Sequence, residues 1–412
     1  MNPVVQNNVT IKALEEAFLS IPRTVNQQKA FDQFILKGLP TNKLEEYRFT
    51  PMAKFLEANF DLSLFGYASE GRTDLDPDHE SITIHIVNGK LVFDKNEIRL
   101  AGIQVAVREV LASHQTDPFA LLNLAFCEKE IQINIPENLI VSKPIFLNHI
   151  LDSEAEQIML NARILIDLGE NSSCSIKESF HSLGIHPVFT NLVSEFRLQA
   201  NSNLNYYRLQ NDAGAYQIYN STVKQLGKST INSFVFSFDG HAIRNNANFS
   251  IEAEHCESNF YGLYLPSGKS LIDNHTVADH RMPNCVSNEL YKGIISDSAR
   301  GVFNGKIFVR PHAQKTNAFQ SNRNILLSDT ATINTKPQLE IWADDVKCSH
   351  GCTTGQLDKE ALFYLQSRGI SQEQSRAMLL SAFVSEVTQK IQDTRLKEDI
   401  EKIVAERLKN PY

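Results

Sequence analysis

LGENSSCSI (168–176) closes one alternating segment and opens the next, and the chain is punctuated in the same way five more times. The other copies are LQANSNLNY (198–206), QLGKSTINS (225–233), LPSGKSLID (265–273), ISDSARGVF (295–303) and LSDTATINT (327–335), with starts 30, 27, 40, 30 and 32 residues apart. Each is an apolar residue, a small polar turn and an alternating strand, while the sequence between copies differs. A near-constant period with degenerate sequence marks a β-solenoid, where each rung need only stack on its neighbours and keep an inward apolar row. A Greek-key sandwich, the competing architecture, gives shorter spacings without a fixed period.

Outward from these copies, short alternating segments run from Ser81 to about Val346: SITIHIV, LVFD, IQINI, ARILIDL, FVFSF, KIFVR and LEIW. Helical periodicity there is confined to a short stretch at Pro118–Cys127. Before this region, Ile11, Leu14, Phe18 and Ile21 follow helical spacing with Thr10 as N-cap. A second helix runs from Val25 to a stop at Gly38 and Pro40, and Pro51 opens a third as its first residue. After it, Asp358 caps KEALFYLQSR, Ser371 and Gln374 form a capping box, and Ile400, Ile403, Val404 and Leu408 share one face of a last helix. Of the adjacent Phe363, Tyr364 and Leu365, one aromatic is expected to face out of the local core and the other to pack; packing is the favoured reading for such residues, and an outward aromatic beside Arg368 serving as a docking patch is the alternative. Solenoid ends leave strand edges unpaired, so the flanking helices or a second chain are expected to cover them.

The chain's 412 residues can bury a sizeable interior, and its net charge of −8 argues against a nucleic-acid-binding surface. No basic segment leads into an apolar one at the amino terminus, and no apolar run is long enough to span a bilayer. A cytoplasmic, membrane-free protein is expected. Six cysteines are too sparse for a disulfide scaffold.

Neither Gly-Lys-Ser segment is a phosphate loop: LGKST (226–230) has Thr222 where the first glycine belongs, and in PSGKS (266–270) Gly262 lies one residue too far upstream. His275 and His280, five apart in a strand, fall on opposite faces. The informative segment is VKCSHGCTTGQLD (346–358), where Cys348, His350 and Cys352 occupy alternate positions of an extended run ending in a flexible GCTTG. Thiolate and imidazole suit zinc or an iron-sulfur cluster, yet three ligands are one short of a permanent site. Either another chain completes the set or the metal is passed on. A thiol enzyme, with Cys348 as nucleophile and His350 as base, stays open on spacing. A β-helical polysaccharide-active protein is disfavoured by the single Trp.

KPQLEIWADDVKCSHGCTTGQLDKEALFYLQSRGI (336–370) resembles the diagnostic stretch of the SufB/SufD family of iron-sulfur cluster assembly scaffolds. ELYKGIISDSARGVFNGKIFV (289–309), AQKTNAFQSNRNILLSD (313–329) and LPTNKLEEYRFT (39–50) are similar to the family as well. SufB-like chains carry a cysteine in the segment corresponding to NAFQSNRNIL (317–326) and a glutamate where this chain has Gly351; both departures favour the SufD branch.

The resemblance implies a right-handed parallel β-helix over 81–347, between a helical domain at 1–80 and another at 348–412. It also implies a non-catalytic scaffold subunit that pairs with SufB through the β-helix ends and docks the SufC ATPase through the C-terminal helices, where Phe363, Tyr364 and Arg368 lie. A transient iron-sulfur cluster would be shared with SufB, the family's Cys and His falling on Cys348 and His350. Cys352, where relatives carry a small non-thiol residue, reads as a spare small hydrophobe with a third ligand as the alternative. The family's complex also binds reduced flavin (FADH2), which no residue here places, and a homodimer in isolation is left open.

Overall fold

The structure, a computed structural model, describes residues 8–66, 80–110 and 116–409. Residues 1–7, part of the terminus read above as lacking a leader, lie outside the described residues. Its body is a β-solenoid of about eight turns. Successive strands alternate between a ten-stranded and a nine-stranded sheet, and neighbours within each sheet are parallel along most of its length. The recurring punctuation has a backbone cause. Asn171, Asn201, Gly268 and Asp297, one in each of four copies, sit in the left-handed region at φ of 56°, 57°, 63° and 52°. Asn, Asp and Gly tolerate that conformation at little cost, so the turn signal repeats while the rest of the rung drifts.

The two ends of the solenoid differ. At the first end, Ile82–Val87 forms an antiparallel hairpin with Lys90–Phe93, and Gln104–Arg108 pairs antiparallel with Glu130–Ile135. A short helix, Lys95–Leu100, capped by Asp94, adds Ile98 to the core there. Its six residues give too little periodicity to be read from sequence. At the other end, Thr332–Ile341 and Lys347–Gly355 are the terminal strands of the two sheets, and each pairs on one side only among the described residues.

The helices cover faces rather than that end. Val25–Lys37, Met52–Asn59 and Pro118–Phe126 pack with Asn8–Ser20 on the nine-stranded sheet, through Phe18, Phe34, Leu56 and Phe119 against its outward Met159, Phe189, Ile218 and Leu271. Gln372–Thr388 and Thr394–Lys409 pack Leu380, Val384, Ile400 and Val404 on Tyr207, Phe234, Phe236 and Leu263 of the ten-stranded sheet. Amphipathicity therefore serves two sheet faces, and among the described residues the last strand edges stay unpaired. Thr10 is not a cap: the first helix starts at Asn8, and the Thr10 hydroxyl donates across to Glu57 Oε1 at 2.7 Å. Pro51 is the N-cap, one residue before the first helical position. The caps at Asp358 and Ser371 form as expected.

The inward row is not apolar throughout. Near the first end it is aliphatic, with Ile84, Ile133, Ile145, Leu147 and Ile166 fully or nearly fully buried. Further along, buried polar groups replace them and contact one another: His149 Nε2 meets Glu178 Oε1 at 2.8 Å, Tyr219 donates to Glu178 Oε2 at 2.7 Å, and the Arg208 guanidinium lies 3.8 Å over the Tyr219 ring. Gly262 is required here for close approach, since a Cβ would lie 2.1 Å from the Tyr291 ring.

Candidate functional site

The three ligand-type residues lie on the last strand, Lys347–Gly355, which pairs with Asn317–Leu326 in the register Ala318↔Cys348, Gln320↔His350 and Asn322↔Cys352. Ala318, Gln320 and Asn322 are all buried in the lumen, so Cys348, His350 and Cys352 continue that inward row onto the open end. Cys348 is half-buried and packs on the core, while His350 and Cys352 are exposed. The expected flexible exit at 351–355 is strand instead, its ladder running to Gly355↔Ile325. The backbone bonds of the neighbouring rung hold it extended despite its two glycines.

That regularity sets the separations. At about 3.3 Å per residue, Cys348 and Cys352 stand about 13 Å apart along the strand, too far for one ion with Zn–S bonds of about 2.3 Å. His350, two residues from each, stands about 7 Å from either along the strand. Among the described residues, no group of three His, Cys, Asp or Glu is assembled around a common point. The Cys352 Sγ is also engaged, 2.6 Å from the Thr335 hydroxyl on the terminal strand of the other sheet. The chain thus presents Cys348 and His350 as a pair, with Cys352 turned to the opposite wall.

Burial pushes the Cys348 thiol up from its ordinary value, an Ala318 backbone hydrogen bond only partly opposing it. A thiol shifted upward is not an activated nucleophile, since the thiolate is the reacting form. Phe363 and Tyr364 both face solvent, 72% and 56% exposed, on the helix Lys359–Ser367, which has no buried residue. This corrects the expectation that one aromatic would be packed. Arg368, at the helix end, lies over the Tyr364 ring at 5.3 Å.

Residues that sequence reasoning missed sit directly beneath and opposite. Gln320 lies under His350 and bonds the buried Glu289 at 2.6 Å, and Thr335 contacts Cys352. Only knowledge of the rung register could have found them. Among the described residues no helix is long and apolar enough to cross a membrane.

The chain matches the family model for the SUF system FeS cluster assembly SufBD core domain over residues 149–383. It is 31% identical to the iron-sulfur cluster assembly protein SufD of Escherichia coli (strain K12), covering 94% of this chain and 93% of that one. It is 30% identical to an iron-sulfur cluster assembly SufBD family protein of Synechocystis, covering 89% and 86%. A chloroplastic protein of Arabidopsis thaliana, ABCI7, is 32% identical over 65% of this chain and 58% of its own length. The family model takes in the last rung, with Cys348 and His350, and the chain belongs to the SufBD family of iron-sulfur cluster assembly proteins, on its SufD side.

Proposed function

We propose that this chain is a cytoplasmic, non-catalytic scaffold subunit that pairs with a SufB-type chain through the open end of its solenoid and there contributes Cys348 and His350 to a nascent iron-sulfur cluster. The observation that carries this reading is the coincidence of an incomplete ligand pair with two unpaired parallel strand edges at the same end. An unpaired edge is a template for another strand, and a partner laid along Lys347–Gly355 would bring its side chains over the same lumen row. The ligands the chain lacks and the strand its edge lacks then come from one source. A homodimer formed through the same edge is the state available to the chain without that partner.

The exposed Phe363–Tyr364 pair with Arg368, clear of every core, is the dock for a SufC-type ATPase, since aromatic and arginine side chains anchor interfaces. This chain offers no phosphate loop of its own. The glycine of LGKST is packed on the rung below, where a Cβ would lie 2.6 Å from the Ala200 backbone. The Gly268 N–H of PSGKS is taken by the Asp297 carboxylate at 2.7 Å. Neither segment fits a phosphate loop. The thiol-enzyme reading gains nothing from a Cys348 whose thiol is pushed up.

Amide exchange on mixtures with SufB and SufC counterparts tests both contacts. Residues 347–355 are expected to gain protection with the SufB-type chain, and Phe363→Ala with Tyr364→Ala is expected to release the ATPase while leaving that protection in place. Unchanged exchange at the edge strand would refute the pairing.

A further inference from the structure

The geometry points to Gln320 as a positioning residue that accepts the second ring N–H of His350 when the imidazole binds a metal centre, with Glu289 fixing which end of the carboxamide is presented. The inference rests on His350 acting as a ligand and extends that reading into the lumen. Glu289, Gln320 and His350 form one register column through three consecutive rungs of the ten-stranded sheet. Gln320 is 3% exposed, and its Nε2 donates to Glu289 Oε2 at 2.6 Å. An ionised carboxylate only accepts, so the nitrogen end of the carboxamide is committed downward. Its Oε1 is buried with no hydrogen-bond partner among the described residues.

A buried acceptor without a donor calls for an explanation, and the next residue of the column supplies one. An imidazole that binds metal through one nitrogen carries a proton on the other, and an acceptor for that proton fixes the tautomer and the ring plane. The carboxamide is admitted to the lumen by the facing sheet. A Cβ on Gly305 would lie 2.2 Å from Gln320 Nε2, so a glycine there leaves the space the amide fills. Burial pushes Glu289 up to about 7, so at pH 8 most of it is carboxylate and the amide orientation is set.

The test is a cobalt(II) titration at pH 8 of the complex between this chain and its SufB-type counterpart, following the thiolate-to-cobalt absorption band. The band is expected in the wild-type complex and weakened in both Cys348→Ser and His350→Ala. Gln320→Met, close in volume but without an acceptor, is expected to lower cobalt affinity about tenfold or more. In the His350→Ala background the same change should have no further effect, which separates positioning of the imidazole from a general loss of structure. Glu289→Gln, whose amide donates as well as accepts and so no longer fixes the Gln320 orientation, is expected to weaken cobalt binding by less than Gln320→Met and only while His350 is present. Equal affinity in Gln320→Met, or an equal loss with and without His350, overturns the inference alone. A wild-type complex whose band does not depend on Cys348 and His350 overturns it together with the ligand reading.

Discussion

Asp273→Ala is expected to cost about 3–5 kcal/mol, the range for removing one partner of a buried ion pair and stranding the other. Asp273 and Arg244 are almost fully buried on the outer face of the nine-stranded sheet, 2.5 Å apart, and His275 Nε2 lies 2.9 Å from the second carboxylate oxygen. The pair also ties the N-terminal helical region to the solenoid. The Thr50 hydroxyl donates to Asp273, the Tyr47 ring lies 3.9 Å under the Arg244 guanidinium, and Glu46 reaches His275 and Lys306. With the carboxylate gone, the buried Arg244 keeps the Tyr47 ring, the His275 contact and the more distant Asp117 charge.

Equilibrium urea unfolding of the variant measures the cost, and a loss under about 1 kcal/mol would place the pair in solvent-screened surroundings. The pH dependence has a definite sign. Burial alone would raise the Asp273 carboxyl, but His275 and Arg244 outweigh it and hold it below its ordinary value. Its contribution is therefore present above the unfolded carboxylate value of about 3.9 and lost as pH falls through the lower folded one.

Glu289→Gln is expected to act in the opposite direction. Burial raises this carboxyl from 4.5 to about 7, with Thr276 and Gln320 only partly opposing the shift. A group raised in the folded state contributes fully below its unfolded value and loses that contribution as pH rises through the folded one. A shift of this size corresponds to about 3 kcal/mol. The neutral isostere, which keeps an acceptor for Gln320, should match the wild type near pH 4 and exceed it progressively up to pH 8. Urea midpoints across that range check the slope. A stability difference independent of pH would mean that Glu289 does not titrate in the buried state.

These two carboxylates also mark where the sequence was readable. Rung periodicity was visible because the left-handed turn positions at Asn171, Asn201 and Asp297 select few residue types, so the turn recurs although the strands diverge. The content of the lumen was not. A polar residue at an alternating position reads as outward-facing, and Glu289, Arg208 and Asn322 point inward only because partners from other rungs receive them. Helix amphipathicity showed that apolar faces must be covered without saying what covers them, and they lie on the sheets instead of closing the last rung. At the site, Cys348 and His350 were legible from alternation along one strand. Gln320 and Thr335 were not, because each meets its neighbour through strand pairing or across the lumen at a separation set by rung length.

The most direct measurement of the central claim is cluster assembly by the complex reconstituted from this chain with SufB and SufC counterparts, followed by visible absorption. Complex integrity is verified by size exclusion, and the wild type is compared with Cys348→Ser and His350→Ala. A shared cluster site predicts that each change lowers cluster yield by about tenfold or more while the subunits still elute together. Wild-type yield in both variants, with the complex intact, would contradict it.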